Sequence, residues 1–369
     1  MSDFACRACR CTNGQIVLDL GLQPASDYFP GLDHGGPDPE YPLQMWLCST
    51  CGLAQLADDP TVPEEPRGAE PAALVEQAMD AVGRVAAAGL LPDGAGVAEY
   101  GSPHGGSWLG LLAERGLKPV DEPDLADVVV DCFGMMHAAD QAAAMAERAR
   151  RVADGGLLLL QYHALDTIVR YGQWNALRHG HYAYYSTSAL ISMLGMAGFT
   201  ARTAWHFDLY GGTVLLAAQP DTDNRAGPDN AVRSLLAEDD RIGVRSAAFV
   251  ARLGLDAQAK ASALHSYLRA EQAAGRTVLG YSAASRAVAL LRRAGIDRSL
   301  LPAVVDASPA KQGRRMPGTD IPVVGPDELS ARRPDTVVLF LADLRAEVRT
   351  AFPEIEANGG RWVDAESLG

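Results

Sequence analysis

Residues 97–108 read VAEYGSPHGGSW, an apolar strand end followed by an acid and then by glycines that precede a helix. A glycine-rich turn of this kind is typical of αβ units that hold a cofactor against the turn. Around it, segments with helical spacing (72–91, 107–117 and 140–156) alternate with short apolar segments of strand composition (96–100, 126–134 and 157–165). This alternation predicts an α/β fold, with a parallel sheet covered by helices on both faces.

Two segments rich in Pro, Asp, Glu and Gly, at 58–71 and 219–230, divide the chain by composition. They predict three domains, at residues 1–65, 66–220 and 221–369. The third has its own strand and helix alternation and a sharp turn, VLGYSAAS, at 278–285. That turn either presents backbone N–H groups to an anion or is an ordinary βα turn without a ligand.

The cysteines are arranged for a metal ion. Cys6 and Cys9 form one C-x-x-C pair, and Cys48 and Cys51 form a second. Four thiolates on two such knuckles match tetrahedral zinc, and a reducing compartment favours the metal over disulfides. We therefore predict a structural zinc site that stabilises the first 65 residues, with Cys11 outside it; a redox pair is the alternative.

Composition excludes several classes of partner. The 369-residue chain has a formal net charge of −14, which argues against binding to nucleic acid. It contains no apolar run of the roughly 20 residues needed to cross a bilayer, and its N-terminus lacks the features of a signal peptide. These observations predict a cytoplasmic protein with a small-molecule substrate and leave its oligomeric state open.

Several motifs together resemble one family. They are the cysteine knuckles, LDLGLQPASDYF (18–29), the E-x-G-S turn (99–102), WNALRHGHYAYYSTSALISMLGMAGF (174–199), GGTVLL (211–216) and VVDASPAKQGRRMPGTDIPV (304–323). This set is similar to the sugar-nucleotide C-methyltransferases of deoxysugar biosynthesis, over nearly the whole chain. The resemblance implies a zinc-binding N-terminal domain, a central methyltransferase domain of the class I Rossmann type and a Rossmann-like C-terminal domain.

The resemblance also implies a reaction. In the family, a methyl group passes from S-adenosylmethionine (SAM) to the carbon beside the ketone of a nucleotide-linked 4-keto sugar. That chemistry needs a base for the C–H proton and a donor for the enolate oxygen. By alignment to the family motif Tyr-His-Glu-His, the implied base is His181, accompanied by His179, and His137 is a further active-site histidine. Each histidine has a structural alternative, as a packed and hydrogen-bonded side chain.

Further residues are implied by the same alignment. The candidate SAM-binding residues are Glu99, Gly101, Gly105 and Asp121. The candidate substrate-binding residues are Arg178, Tyr182, Tyr185, Tyr281, Arg286 and Lys311. The aromatic members have an alternative as core residues, and Arg286 and Lys311 have one as surface cations.

The sequence also departs from the family pattern. Pro103 and His104 replace an Asn-Asp pair in the turn, and Arg178 and Gly180 replace the Tyr and Glu of the histidine motif. The chain also passes almost directly from a second strand near 117–123 to the next at 126, so the helix and third strand that build the adenine pocket are missing. Three hypotheses follow: a compact SAM-dependent C-methyltransferase, a SAM-independent isomerase, epimerase or dehydratase, and a noncatalytic partner.

Overall fold

The computed structural model describes residues 4–61, 71–102, 106–221 and 227–368. In this part of the chain the strands are β1 (Gly14–Pro24), β2 (Glu40–Cys48), β3 (Ala54–Leu56), β4 (Gly96–Tyr100), β5 (Lys118–Pro119), β6 (Ala126–Cys132), β7 (Val152–His163), β8 (Ala183–Tyr184), β9 (Phe199–Phe207), β10 (Thr213–Pro220), β11 (Val278–Tyr281), β12 (Val304–Val305), β13 (Val323–Val324), β14 (Thr336–Leu339) and β15 (Arg361–Asp364). The helices are α1 (Ala72–Ala87), α2 (Leu109–Ala113), α3 (Gln141–Arg151), α4 (Leu165–Arg170), α5 (Thr187–Met196), α6 (Asn230–Ile242), α7 (Ala247–Val250), α8 (Arg252–Ala273), α9 (Ser285–Ala294), α10 (Asp327–Arg332), α11 (Arg345–Ala351) and α12 (Glu354–Ala357). No helix among these is long and apolar enough to cross a membrane.

The N-terminal sheet is antiparallel, with the order β1-β2-β3-β8. Its fourth strand comes from far along the chain, because Ala54 pairs with Tyr184 and Gln55 pairs with Ala183. Folded units and sequence segments therefore do not coincide: a piece of the predicted central domain completes the N-terminal sheet.

The four predicted zinc ligands meet at one end of this sheet. The Sγ atoms of Cys6, Cys9, Cys48 and Cys51 all lie within 4.8 Å of one another. The Sγ atoms of Cys6 and Cys51 are 3.5 Å apart, and those of Cys9 and Cys48 are 3.6 Å apart. With Zn–S bonds of about 2.3 Å, tetrahedral thiolates lie roughly 3.8 Å apart, so the cluster fits one zinc ion. Cys11 lies outside the cluster, as predicted.

The central sheet has six strands in the order β5-β4-β6-β7-β10-β9. β4 pairs in parallel with β5 and β6, and β6 pairs in parallel with β7. The prediction of a parallel sheet needs one correction, since β10 runs antiparallel to both of its neighbours. The short turn at 208–212 joins β9 directly to β10, and a connection that short can only produce an antiparallel pair.

The outer edge of the central sheet is short. β5 contains two residues, and a turn at 121–124 leads straight to β6. Among the described residues no strand lies beyond β5, so the central domain is shortened where the sequence predicted.

The C-terminal sheet, β13-β12-β11-β14-β15, is parallel throughout. Its helices α8 and α9 pack on β1, so that Leu18 shares a core with Leu264 and Leu291. A buried ion pair joins the same two parts, because both guanidinium Nη atoms of Arg315 lie 2.6 Å from the carboxylate oxygens of Asp38. Only 2% of the Asp38 side chain and 11% of the Arg315 side chain are exposed. The N- and C-terminal units are thus held directly to each other.

Replacing Cys48 with Ser should abolish zinc binding and unfold the N-terminal sheet. Structural zinc in small Cys sites contributes about 10–16 kcal/mol of apparent binding free energy, which this sheet cannot replace with its own core. We expect the zinc content to fall from one ion per chain to near zero, with a lower melting temperature. Metal analysis and thermal unfolding measure both. Cys11→Ser is the matched control and should keep its zinc; equal zinc loss in both variants would contradict the four-cysteine assignment.

Candidate functional site

A cavity of about 510 Å³ lies between the carboxyl ends of the central strands and the C-terminal unit. Ligands of open α/β sheets bind outside the carboxyl ends of the strands, so this is the expected place for a site. Polar and ionisable side chains from three parts of the chain line it, among them Asp131, Cys132, His137, His163, Arg178, His181, Tyr185, Tyr210, Tyr281, Ser285, Arg286, Lys311 and Asp343.

The segment around β8 brings the histidine motif to the cavity. Besides the β3–β8 pairing, the Leu56 N–H donates to the Tyr182 carbonyl over 3.2 Å, and the Gly180 N–H donates to Asp59 Oδ2 over 2.6 Å. The N-terminal sheet therefore fixes the backbone on both sides of His181. Arg178 and His181 line the cavity as a result.

His137 and His181 form a close pair. Their ring centroids are 4.4 Å apart in an edge-to-face arrangement. Nδ1 of His137 lies 3.1 Å from the Gly180 carbonyl oxygen, which can only accept, so this nitrogen carries the hydrogen. In neutral His137 the lone pair is then on Nε2.

Arg178 contacts both the proposed base and the C-terminal unit. Its Nε donates to Nε2 of His181 over 2.7 Å, which places the hydrogen of a neutral His181 on Nδ1. Its Nη1 donates to Oγ of Ser285, the first residue of α9, over 3.1 Å. The side chain that replaces the family tyrosine thus bridges two walls of the cavity.

Two members of the predicted set do not reach the cavity. His179 is buried elsewhere: Nε2 lies 3.2 Å from the Pro42 carbonyl oxygen, and burial lowers the pKa of His179. Tyr182 lies under the guanidinium of Arg7, whose Cζ is 4.8 Å from the ring centroid. Both side chains hold the motif against the N-terminal unit. A turn at 179–180, in which Gly180 has φ 80°, separates the direction of His179 from that of His181.

The remaining substrate-binding candidates lie at the walls. Tyr185 is buried and its hydroxyl donates to Gln141. Tyr281 packs against Phe352 and Trp362. These contacts make both tyrosines fixed parts of the cavity wall.

Two cations face the cavity from the C-terminal unit. The guanidinium Cζ of Arg286 lies 5.5 Å from the centroid of the Tyr210 ring. Nζ of Lys311 donates to the Ala283 carbonyl over 2.8 Å. Together with Arg178, these side chains bring three cations to the cavity, where Asp306 and Asp343 also line the wall and Glu366 lies 3.6 Å from Arg286.

The glycine-rich turn is arranged differently from the prediction. The Glu99 carboxylate accepts hydrogen bonds from Ser107 Oγ (2.5 Å) and from the Trp108 N–H (2.6 Å), so it closes its own loop. Asp121 is exposed in the turn after β5, away from the cavity. Gly105 lies outside the described residues.

The loops after β4 and β6 approach each other closely beside this turn. A Cβ added to Gly134 would lie 3.0 Å from the carbonyl oxygens of Tyr100 and Gly101. Only part of the cavity wall is therefore suited to hold SAM. Ser102, Gly106 and Ser107 line the cavity and could hold one end of the molecule, but neither predicted carboxylate is directed to a ribose.

A buried ion pair supports the floor of the cavity. Nε of Arg148 lies 2.6 Å from Oδ2 of Asp131, and Oδ1 accepts from the N–H groups of Gly134 and Met135. Burial raises the pKa of Asp131, while Arg148 and these N–H groups oppose the shift. The Arg148 guanidinium also covers the Tyr100 ring, with Cζ 4.2 Å from its centroid.

The sequence reasoning missed four residues at the cavity: Asp131, His163, Tyr210 and Ser285. Two had a usable signal. His163 ends the apolar strand 157–163 at the edge where ligands bind, and Tyr210 precedes a Gly-Gly pair. Asp131 and Ser285 had no local signal, because their roles depend on Arg148 and Arg178 folding back onto them.

The fold and the site define a class: an enzyme-like α/β protein in which a four-cysteine N-terminal unit and a Rossmann-like C-terminal unit enclose a methyltransferase-type sheet. Residues 6–65 match the family model described as "Putative zinc binding domain", and residues 208–365 match the model of the C-methyltransferase C-terminal domain. The chain is 22% identical to the C-methyltransferase NovU of Streptomyces niveus, over 97% of this chain and 94% of the relative. The predicted resemblance is confirmed: the chain matches the models of a zinc-binding domain and of a C-methyltransferase C-terminal domain, and it is a homologue of the C-methyltransferase NovU.

Two details of these matches agree with the structure. The alignment to NovU spans 411 positions, more than the 369 residues of this chain, so the relative carries residues that this chain lacks. The C-terminal family model begins at residue 208 and thus includes β10, which the structure places in the central sheet.

Solved methyltransferases show distant likenesses to part of this chain. The N-methyltransferase NodS from Bradyrhizobium japonicum, in complex with S-adenosyl-L-homocysteine, covers 42% of this chain and 90% of its own, with 10% identity and a TM-score of 0.32. Magnesium protoporphyrin IX methyltransferase from Synechocystis covers 40% and 84%, with 13% identity and a TM-score of 0.30. These values describe distant likenesses and carry no functional argument.

Replacing Arg148 with Met should leave the Asp131 carboxyl buried without its cation. Breaking a buried pair on one side costs about 3–5 kcal/mol, and we expect a loss of this size in the free energy of unfolding. Urea denaturation measures it. Arg150→Met, on the exposed face of the same helix, should change the free energy by less than about 0.5 kcal/mol. Equal losses in the two variants would mean that the buried pair does not support the site.

Proposed function

We propose that this protein is a C-methyltransferase that acts on the carbon beside the ketone of a nucleotide-linked keto sugar, with His181 as the base. The observation that carries the proposal is the His137–His181 pair, which lies in one cavity with the carboxyl ends of β4 and β6 and with three cationic side chains. Family membership supports the reaction class, and the cavity supports the assignment of residues.

The cationic wall favours a substrate with an anionic group. Arg286 and Lys311 face the cavity from the C-terminal unit, and Arg178 donates to Ser285 beside them. A guanidinium and an ammonium together suit a diphosphate, the charged part of a sugar nucleotide. Bound there, the diphosphate would leave the sugar directed towards the histidines.

The histidine pair supports removal of a proton from carbon. A C–H bond beside a ketone is a weak acid, and a neutral imidazole within reach can accept its proton. His181 is neutral when Nε2 accepts from Arg178, so this residue must release Arg178 or use its other nitrogen in order to act. An anionic substrate that attracts the Arg178 guanidinium would free Nε2 in the same step.

SAM, when bound, supplies an electrophilic methyl group for the carbanion. Ser102, Gly106 and Ser107 are the residues of this chain that would hold it. The positions of Glu99 and Asp121, in contrast, favour a second candidate function. The Glu99 carboxylate closes its own loop and the Asp121 carboxylate is exposed, so neither is directed to a SAM ribose. That candidate is a SAM-independent enzyme in which the same enolate is reprotonated or eliminates a β-substituent.

Calorimetry and isotope exchange separate the two candidates. Binding of SAM in the micromolar range by isothermal titration, followed by methyl transfer to dTDP-4-keto-6-deoxyglucose, is expected for the methyltransferase. Without SAM binding, uptake of solvent deuterium beside the ketone identifies the second candidate. Absence of SAM binding, methyl transfer and exchange would eliminate both enzymes and leave the noncatalytic partner.

Replacing His181 with Ala should lower the rate of deuterium exchange about 10²- to 10⁴-fold, since the base is lost. The rate of exchange into the keto sugar, followed by mass spectrometry, measures the effect. His34→Ala is the matched control, because His34 is exposed on a loop away from the cavity, and it should retain the wild-type rate. An unchanged rate in the His181 variant would remove this residue from the reaction and direct attention to His137.

A further inference from the structure

A strained turn holds Tyr210 in the cavity. The residue has φ 56° and ψ 25°, and it is followed by Gly211 at φ 80° and Gly212 at φ 155°. The left-handed region costs a side-chain-bearing residue about 1–3 kcal/mol, and such residues cluster at functional sites. A Cβ at Gly212 would lie 2.5 Å from Thr167 Oγ1, so the turn can be built only with glycine there.

The side chains of Gln173 and Asp343 hold the Tyr210 backbone in this conformation. The Tyr210 carbonyl accepts from Nε2 of Gln173 over 2.9 Å. The half-buried carboxyl of Asp343 accepts a hydrogen bond from the Tyr210 backbone, which opposes the rise that desolvation causes in the pKa of Asp343. Backbone contacts from two different parts of the chain thus offset the strain.

The Tyr210 ring has a defined surrounding. It lies 6.0 Å, between centroids, from Phe133 and from His163, and the Arg286 guanidinium lies 5.5 Å from its centroid. Phe133 is itself left-handed, at φ 58°, so two strained residues from two loops face each other here. Within the described residues, the Tyr210 hydroxyl makes no hydrogen bond with the protein, although its backbone is tied on both sides.

Neighbouring groups do not supply the same chemistry. Burial lowers the pKa of His163 to about 3, so this histidine is neutral at physiological pH and a weak base. Three other tyrosine hydroxyls at the cavity are already hydrogen-bonded within the protein: Tyr162 with Thr187, Tyr184 with Ala176 and Tyr185 with Gln141. The remaining one, Tyr281, has its ring packed against Phe352 and Trp362. Burial raises the pKa of Tyr210, which keeps its hydroxyl a donor.

We propose that Tyr210 is the catalytic hydrogen-bond donor to the ketone oxygen, which stabilises the enolate formed in the reaction. This inference rests on the proposed function. In the step, the C–H bond beside the ketone breaks and its proton passes to an imidazole nitrogen. The electron pair forms the carbon–carbon double bond, and the charge that develops on oxygen is met by the Tyr210 O–H. Arg286, over the ring, strengthens that donor by its positive charge.

The test is Tyr210→Phe, which keeps the ring and removes only the hydroxyl. Removing one donor of this kind costs about 10²- to 10³-fold in rate, so we expect deuterium exchange into dTDP-4-keto-6-deoxyglucose to slow by at least about 100-fold, with little change in KM. The melting temperature should be unchanged, because the hydroxyl has no partner among the described residues. Tyr171→Phe, at a site that is 61% exposed, is the matched control and should keep the wild-type rate. A rate for Tyr210→Phe within threefold of wild type would overturn the proposal and leave the proposed function intact.

A second measurement does not depend on turnover. With the keto sugar labelled by ¹³C at the carbonyl, infrared difference spectra report the C=O stretch of the bound ketone. We expect a lower frequency in the wild type than in Tyr210→Phe, because a hydrogen bond weakens the C=O bond. If the wild type shows no exchange, the proposed reaction fails, and this frequency decides the role of Tyr210 by itself. Equal frequencies in the two proteins would then reject Tyr210 as the donor.

Discussion

The backbone pairing of β3 with β8 is the contact on which the candidate site depends. Residues 54–55 belong to the second cysteine knuckle, and residues 183–184 follow the histidine motif directly. Asp59 adds a hydrogen bond to Gly180, whose carbonyl in turn orients His137. The four thiolates do not line the cavity, yet these links connect their unit to the segment that carries His181 and Arg178. A structural metal in this unit would position the candidate site by fixing one short strand.

The glycine-rich turn is not arranged as the cofactor-binding turn that its sequence suggests. Its acid, Glu99, is used to close the loop at Ser107 and Trp108. The neighbouring loop comes within contact distance at Gly134, and the outer edge of the sheet ends at β5. Charge and hydrogen-bonding capacity are concentrated instead on the opposite side of the cavity, at Arg178, Arg286 and Tyr210.

Features that depend on local spacing could be predicted from the sequence. Two C-x-x-C pairs specify a metal cluster wherever the chain brings them together, and alternating apolar segments specify an α/β sheet. Features that depend on contacts between distant parts of the chain could not be predicted in this way. His179 and His181 are two residues apart and indistinguishable by type, and the turn at 179–180 together with the pairing of β8 with β3 decides which one faces the cavity. Tyr210 required knowledge of backbone angles, and the ion pair of Asp131 required the position of α3.

The ion pair between Asp38 and Arg315 has a consequence for how this chain could change during evolution. It binds the first unit to the third without using the second, and the charge of the retained unit would be buried alone if the other unit were exchanged for an unrelated one. The two outer units must therefore be inherited together. The middle unit is under no such restriction at its far edge, since β5 lies on the opposite end of the sheet from β9. A strand can therefore be absent at this edge without breaking the contact between the two outer units.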